Sequence, residues 1–207
     1  MQLENVTEKL ATVALEGPSA DELGGVLVPV EAGSHVECEG MKIARASVTG
    51  QPGLWFFLDP ARKGHLIQRL KQAGAVAATA EEARVVRVEN GFPRYGDDFG
   101  DTTLPQETQQ NRALNFTKGC YLGQEIVERI RSRGQVHRVL VKLAVEGTEP
   151  PEQGSPILVG EQEIGKLSSP VYSPRQVCSL ALGIIRRDFA APGTAVTVAG
   201  RPGRVLR

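Results

Sequence analysis

The sequence predicts an α+β fold in which a ferredoxin-like βαββα unit, with a helical and loop extension, precedes a small C-terminal antiparallel β-barrel. Two observations predict it. Strand-like and helix-like patterns alternate over the first part of the chain, and about six short β-rich runs separated by Gly and Pro fill the last part. We therefore predict two domains, an α+β domain over residues 1–136 and a β-barrel domain over residues 137–207.

Consecutive segments of the first 75 residues predict the βαββα unit. LATVALE is typical of a buried strand, and GPSADEL begins a short helix behind a Ser or Asp cap. HVECEGMKIARASV and LWFFLD are strand-like and flank the turn signal TGQPG, which predicts a hairpin. ARKGHLIQRLKQAGA places apolar residues at helical spacing and stops at Gly74, so we expect an amphipathic helix there.

The extension and the barrel follow in order. AEEARVVRV predicts a further helix, and NGFPRYGDDFGDTTLP is a long segment rich in Gly, Pro and Asp, which is typical of a functional or mobile loop. Beyond Gly134 the β-rich runs are VHRVLVKLAV, GSPILVG, EIGKLSSP, VCSLALGIIRR, AVTVAG and RVLR. Runs this short and this evenly separated favour a small antiparallel barrel.

Composition excludes several classes of protein. The 24 basic and 24 acidic side chains cancel, which argues against bulk attraction to nucleic acid, and no apolar run predicts a membrane span. The N-terminus MQLENVTEKL lacks the layout of a secretory or transit signal, so we expect a cytoplasmic protein. Cys38, Cys120 and Cys178 are far apart and odd in number, and the histidines are scattered, so we predict neither a disulfide framework nor a metal site.

Cys120 has unusual neighbours. It lies between Gly119 and Gly123, two residues after Lys118 and just ahead of a helical pattern whose start we place near residues 121–123. A helix N-terminus and a nearby ammonium group both favour a thiolate, so the sequence predicts a lowered pKa for the Cys120 thiol. Cys120 and Lys118 are thus candidate catalytic residues. The alternative, a small buried hydrophobic residue, stays open because most free cysteines are of that kind.

Residues 111–138 form a basic segment. It carries six basic and two acidic side chains, a net charge of four, and could bind an anionic ligand or the phosphates of an RNA. A solvated charged face is the favoured interpretation, because no RNA-binding signature accompanies the charges. The basic residues are Arg112, Lys118, Arg129, Arg131, Arg133 and Arg138.

Two strings resemble a known family. RVENGFPRYGDDFGDTTLPQE and NFTKGCYLGQEIVERIRSRG are similar to the YgfZ-type folate-binding proteins, relatives of the aminomethyltransferase (T-protein) of the glycine cleavage system. KGCYLGQE is the most specific part of the likeness. The T-protein resembles this segment but has no cysteine there, so Cys120 favours the YgfZ branch, whose members support iron–sulfur cluster assembly or repair in a folate-dependent way.

The resemblance implies a cofactor and its ligands. The cofactor is a reduced folate, tetrahydrofolate; a glutamate at the position of Glu89 hydrogen-bonds the pterin ring, Tyr95 matches a ring that flanks it, and Arg138 is a weaker match for an arginine beside the ligand. Apart from the resemblance, Glu89 could equally be a surface carboxylate, Tyr95 a packed aromatic ring and Arg138 a cation at a strand edge. Lys118, Gly119 and Cys120 match the signature directly.

The resemblance also implies a preceding stretch of chain in family members, and a function with its partners. Family members carry a further stretch of about one small domain ahead of LATVALEGP, and that stretch contains the catalytic aspartate of the T-protein. Residues 1–136 would then be a partial folate-binding domain. We expect a folate-binding accessory protein whose partners are iron–sulfur client or assembly proteins, with no membrane or nucleic-acid partner. The alternatives are a tetrahydrofolate-dependent aminomethyltransferase and an RNA-binding factor associated with tRNA modification.

Overall fold

A computed structural model describes residues 2–25 and 31–206. The chain divides into two compact units, Met1–Ala83 and Arg84–Arg207. Arg207, which ends the predicted run RVLR, and the side chain of Arg133, which was counted in the basic segment, lie outside the described part. The barrel strands begin at Arg138, and the domain boundary at residues 136 and 137 stays a prediction.

The first unit is a four-stranded antiparallel sheet with two helices, and its strand order is β1-β4-β3-β2. Its apolar side is buried around Phe56, Ile43 and Leu54, with Leu66 and Leu70 of the second helix in the same cluster. The elements are β1 Ala11–Glu16, α1 Ala20–Gly24, β2 His35–Cys38, β3 Met41–Arg45, β4 Gly53–Leu58 and α2 Lys63–Gln72.

One strand-like run of the sequence is two strands. Residues 35–48 form both β2 and β3, which pair antiparallel through a turn at Glu39 and Gly40. Both turn residues have positive φ, 49° and 70°, as a two-residue hairpin turn requires. The predicted order βαββα was therefore wrong, and the observed order is βαβββα. The turn was not recognised because Gly40 is its only residue of a type that commonly interrupts strands.

The second unit contains a closed antiparallel barrel of strand order β10-β5-β8-β7-β6-β9, preceded by two helices. The fold class predicted from the sequence, mixed α and β with a C-terminal barrel, is confirmed. The elements are α3 Ala80–Glu89, α4 Gln124–Arg133, β5 Arg138–Val145, β6 Pro156–Val159, β7 Gln162–Ser173, β8 Cys178–Arg186, β9 Ala195–Val198 and β10 Arg201–Val205.

Strand β7 contains a β-bulge that matters for the site. The pairing of β7 with β8 shifts between Leu167 and Ser169, so Ser168 is an extra residue in the ladder. Successive residues of a regular strand point to opposite faces. Here Ser168 and Ser169 both reach the same buried ion pair, Arg87 with Asp98.

No helix within the described residues is long and apolar enough to cross a membrane.

Candidate functional site

Glu89, the predicted pterin ligand, is the last residue of α3 and is half-buried. Its Oε1 accepts a hydrogen bond of 2.5 Å from Ser173 Oγ, and its main-chain oxygen accepts one of 2.7 Å from Lys142 Nζ. Within the described residues no group donates to Oε2. One carboxylate oxygen of Glu89 is therefore held by the protein and the other is left to accept from elsewhere.

Lys142 is a half-buried ammonium group beside Glu89. Burial lowers the pKa of Lys142, attraction to the Glu89 carboxylate opposes that shift, and the positive charge of Arg175 adds to it. Lys142 therefore brings a partly desolvated cation to the carbonyl end of α3, where the helix dipole is negative.

The long loop after α3 is anchored by a buried ion pair. Arg87 donates to Asp98, to Phe92 O at 3.0 Å and to Ser169 Oγ at 2.9 Å. The Asp98 side chain is fully buried; it accepts from Arg94 N at 2.8 Å and from Ser168 Oγ at 2.6 Å. These contacts hold the loop against strand β7 and determine where its exposed tip lies.

Tyr95 lies at that tip. Its side chain is 61% exposed, its hydroxyl donates to Asp101, and its ring meets Phe99 edge-on with 5.6 Å between centroids. The hydrogen bond to Asp101, together with that carboxylate's charge, raises the pKa of Tyr95. An exposed ring that is held by a ring contact with Phe99 and by its hydroxyl can stack on a flat ligand.

Arg138 is engaged by a carboxylate of its own unit. Its Nε and Nη2 donate to Glu107 Oε1 and Oε2 at 3.1 and 3.3 Å, and the Glu107 side chain is 95% buried while that of Arg138 is 55% exposed. Glu107 also accepts from Leu104 N at 3.0 Å. The predicted ligand contact of Arg138 stays a prediction, and the contact that the structure supplies is this bidentate ion pair.

Cys120 is exposed, so it is not a small buried hydrophobic residue. Helix α4 begins at Gln124, with Gly123 at a φ of 87° as its N-cap, which agrees to within one residue with the start predicted near residues 121–123. The positive φ of Gly123 and the bond from Tyr121 N to the Gln124 side chain, 3.1 Å, keep residues 120–123 out of the helix. Lys118 Nζ lies 4.0 Å from the centroid of the Tyr121 ring.

The apolar residues in and just before α4 are only partly buried. Val127 is buried, whereas Ile126 and the preceding Leu122 are exposed. Gln106 Nε2 donates to Val127 O at 3.1 Å, which ties the helix to the short 3-10 turn at Pro105–Thr108. In the described part of the chain, no group of three or more His, Cys, Asp or Glu side chains is arranged to hold a metal ion.

Sequence interpretation missed the residues that support the site. Ser173 and Lys142 lie in strand patterns far along the chain from Glu89, and nothing local distinguishes them from other strand residues. Arg87 and Asp98 had a usable signal. An arginine inside the apolar run ARVVRV, followed by paired aspartates in an aromatic and glycine-rich loop, is typical of a buried ion pair.

Residues 138–206 match the glycine cleavage T-protein C-terminal barrel domain. An aminomethyltransferase of Streptomyces avermitilis is 34% identical over 89% of this chain and 54% of its own length. One of Thermus thermophilus is 31% identical over 97% of this chain and 58% of its own length. This chain thus spans a little over half the length of these relatives.

A solved structure shares the fold. The glycine cleavage system aminomethyltransferase T of Bartonella henselae superposes with a TM-score of 0.80 at 20% identity, covering 96% of this chain and 58% of that one. At that identity the likeness shows the fold alone. The matched barrel domain and the named relatives support the aminomethyltransferase superfamily as the one to which this chain is related.

Proposed function

We propose that this chain is a folate-binding accessory protein that supports iron–sulfur cluster assembly or repair through Cys120. The observation that carries the folate part is the carboxylate of Glu89, which keeps one oxygen without a partner in the described structure. The resemblance of KGCYLGQE to the YgfZ-type proteins supports the accessory role. Similarity to proteins named aminomethyltransferase supports the superfamily from which that role is inferred.

The residues present fit a reduced folate. A pterin offers a ring N–H and an amino group, and a carboxylate with a free oxygen can accept from such donors. The exposed ring of Tyr95 offers a flat apolar face. When bound, the folate supplies one-carbon chemistry, and the protein supplies binding and orientation. Glu89 would orient the pterin and Tyr95 would flank it.

The iron–sulfur cluster is a substrate in this proposal. Clusters are held by several cysteine thiolates, and Cys120 is a single exposed thiol. The remaining ligands would come from an iron–sulfur client or assembly protein. Leu122 and Ile126, exposed beside the thiol in sequence, give that protein apolar surface to contact. The cytoplasmic location expected from the sequence belongs to the same proposal.

Calorimetric titration of tetrahydrofolate under reducing conditions tests the folate site. We expect saturable binding by the parent chain and its loss in Glu89→Ala, since the pterin donors would then have no anionic acceptor. Glu161→Ala, which changes an exposed turn glutamate of the barrel, is the matched control and should bind as the parent does. A folded parent chain that does not bind tetrahydrofolate contradicts the proposal.

The thiol is tested separately in cells whose cluster enzymes depend on this chain. Cys120→Ser should fail to restore the activity of those enzymes, because serine is a far weaker nucleophile and cluster ligand than a thiolate. Cys178→Ser, at a partly buried cysteine, is the control and should restore it. Full restoration of cluster-enzyme activity by Cys120→Ser would show that the Cys120 thiol is not required, and would contradict its proposed role.

Folate-dependent aminomethyl transfer is the second candidate, favoured by the names of the relatives. It differs from the first in requiring turnover. Incubation of the chain with an aminomethyl donor and tetrahydrofolate should yield a folate carrying the one-carbon unit only if this candidate is correct. Turnover that survives Cys120→Ser would favour it over the accessory role.

A further inference from the structure

We propose that Ser173 and Lys142 are positioning residues for Glu89: together they fix its side chain and its main chain, so that Oε2 is presented to the pterin. This inference rests on the proposed folate site. It adds residues from two barrel strands, β7 and β5, to a site that sequence resemblance limited to Glu89, Tyr95 and Arg138.

The contacts of the Ser173 hydroxyl determine the direction in which it donates its hydrogen. Ser173 is completely buried, its Oγ accepts from Gln176 N at 3.1 Å, and its main-chain oxygen accepts from Val177 N at 2.8 Å. These bonds hold Ser173 at the end of β7, where the turn to β8 begins. With the Gln176 N–H on the hydroxyl oxygen, the hydroxyl hydrogen is donated to Glu89 Oε1.

The main-chain contact acts on the end of helix α3. The last carbonyl groups of a helix have no partner within it, and Lys142 Nζ satisfies that of Glu89 at 2.7 Å. Lys142 reaches it from the middle of β5, which pairs with both β8 and β10 in the closed barrel. The helix end that carries Glu89 is therefore attached to a rigid element.

Attachment at two points has a consequence for binding. A glutamate at a helix end ordinarily samples several rotamers, and a ligand that needs one of them bears the ordering cost. The Ser173 bond restricts the rotamer of the Glu89 side chain, and the Lys142 bond restricts the main chain that carries it, both before the ligand arrives. We expect their loss to weaken tetrahydrofolate binding about tenfold each, with Glu89 still present.

The test is a double-mutant cycle read by calorimetric titration of tetrahydrofolate, with thermal melting of every variant. Ser173→Ala is combined with Glu89→Gln, which retains a weakened acceptor. Lys142→Met is a second, independent variant in case Ser173→Ala does not fold. Ser179→Ala is the matched control, because Ser179 is equally buried in the same barrel and its hydroxyl donates at 3.0 Å to Gly147 O and not to Glu89.

The expected result is weaker binding by Ser173→Ala and by Lys142→Met, unchanged binding by Ser179→Ala, and a Ser173→Ala effect that shrinks in the Glu89→Gln background. A merely structural serine would lower the melting temperature without that coupling. Normal binding by folded Ser173→Ala and Lys142→Met, or an effect independent of Glu89, overturns the positioning role alone. No binding by the folded parent overturns the proposed function and this inference with it.

Discussion

At the scale of single residues, Glu16 shows how a half-buried carboxylate can organise a turn. It ends β1 and accepts from Ser47 Oγ at 2.8 Å, from Val48 N at 3.0 Å and from Thr49 N at 3.0 Å. Trp55 Nε1 adds a contact of 3.2 Å. Burial by itself would raise the pKa of Glu16, but the hydrogen bonds from the Thr49 hydroxyl, from the Val48 and Thr49 main chain and from Ser47 Oγ outweigh burial, and the pKa is lowered.

Glu16→Gln should therefore destabilise the first unit by about 1 kcal/mol at neutral pH, because charge-assisted hydrogen bonds become neutral ones. A folded-state pKa below the unfolded one stabilises the fold above the unfolded pKa, and that contribution is lost as the pH falls through the folded pKa. The difference between parent and variant should thus shrink in acid. Urea unfolding followed by fluorescence of Trp55, the single tryptophan, measures it.

Glu8→Gln is the control for that experiment, since Glu8 is an exposed residue of a short 3-10 turn. It should leave the unfolding free energy unchanged at both pH values. A Glu16→Gln difference that stays constant from neutral to acid pH would mean that ionisation of Glu16 is not what stabilises the turn.

The ion pair of Arg138 with the buried Glu107 carboxylate should contribute to the stability of the second unit. Arg138→Met leaves the buried Glu107 carboxylate without its cation and should cost about 2–3 kcal/mol of unfolding free energy. Arg138→Met combined with Glu107→Gln should cost less than Arg138→Met alone, because no buried charge is left unpaired. Denaturant unfolding followed by circular dichroism measures both. Unchanged stability with lost tetrahydrofolate binding would instead favour the ligand role that the sequence resemblance implied.

At the scale of elements, the segment between α3 and α4 is a loop whose position is set by one buried cation. Removing Arg87 leaves Asp98 buried and unpaired, so Arg87→Met should cost about 3–5 kcal/mol and release the loop. Hydrogen exchange at the Arg94 amide, which donates to Asp98, should accelerate in partly destabilised conditions.

Arg94→Met is the matched control for the loop. The Arg94 side chain is 72% exposed and its ion pair with Asp97 spans 3.7 Å, so the substitution should change stability by less than about 0.5 kcal/mol. Equal effects of Arg87→Met and Arg94→Met would contradict the view that burial of the Arg87–Asp98 pair anchors the loop.

At the scale of the whole molecule, charge argues against general binding of RNA. The chain carries equal numbers of acidic and basic side chains, and several cations of the basic segment are engaged. Arg131 pairs with Glu128 at 3.4 Å and lies over the Phe116 ring, Arg112 lies over Phe92, and Arg138 pairs with Glu107.

We therefore expect no saturable binding of single-stranded RNA at about 150 mM salt, where non-specific affinity depends on many unpaired cations. Filter binding across a salt series measures it, and Arg129→Gln should behave as the parent does. Tight binding with a steep salt dependence that Arg129→Gln reduces would favour the RNA-binding alternative.

Much of the fold was predictable because its signals are local. The period of two in the strands, the helical spacing of Leu66 and Leu70, and the Gly and Pro between barrel strands depend only on neighbouring residues. The hairpin turn at Glu39 and Gly40 was not predicted, because the residue types of this segment do not reveal that Glu39 adopts a positive φ.

The sequence by itself determined the helices, the barrel and every strand except the division of residues 35–48 into β2 and β3, and it singled out the RVENGFP and KGCYLGQE segments. Only the tertiary structure decided how those residues are held. Ser173 lies 84 residues and Lys142 lies 53 residues beyond Glu89 along the chain, yet both bind it. These long-range hydrogen bonds form when the strands close into a barrel and bury polar groups that are distant along the chain next to one another. The need to satisfy those buried groups with one another is a property of the assembled fold.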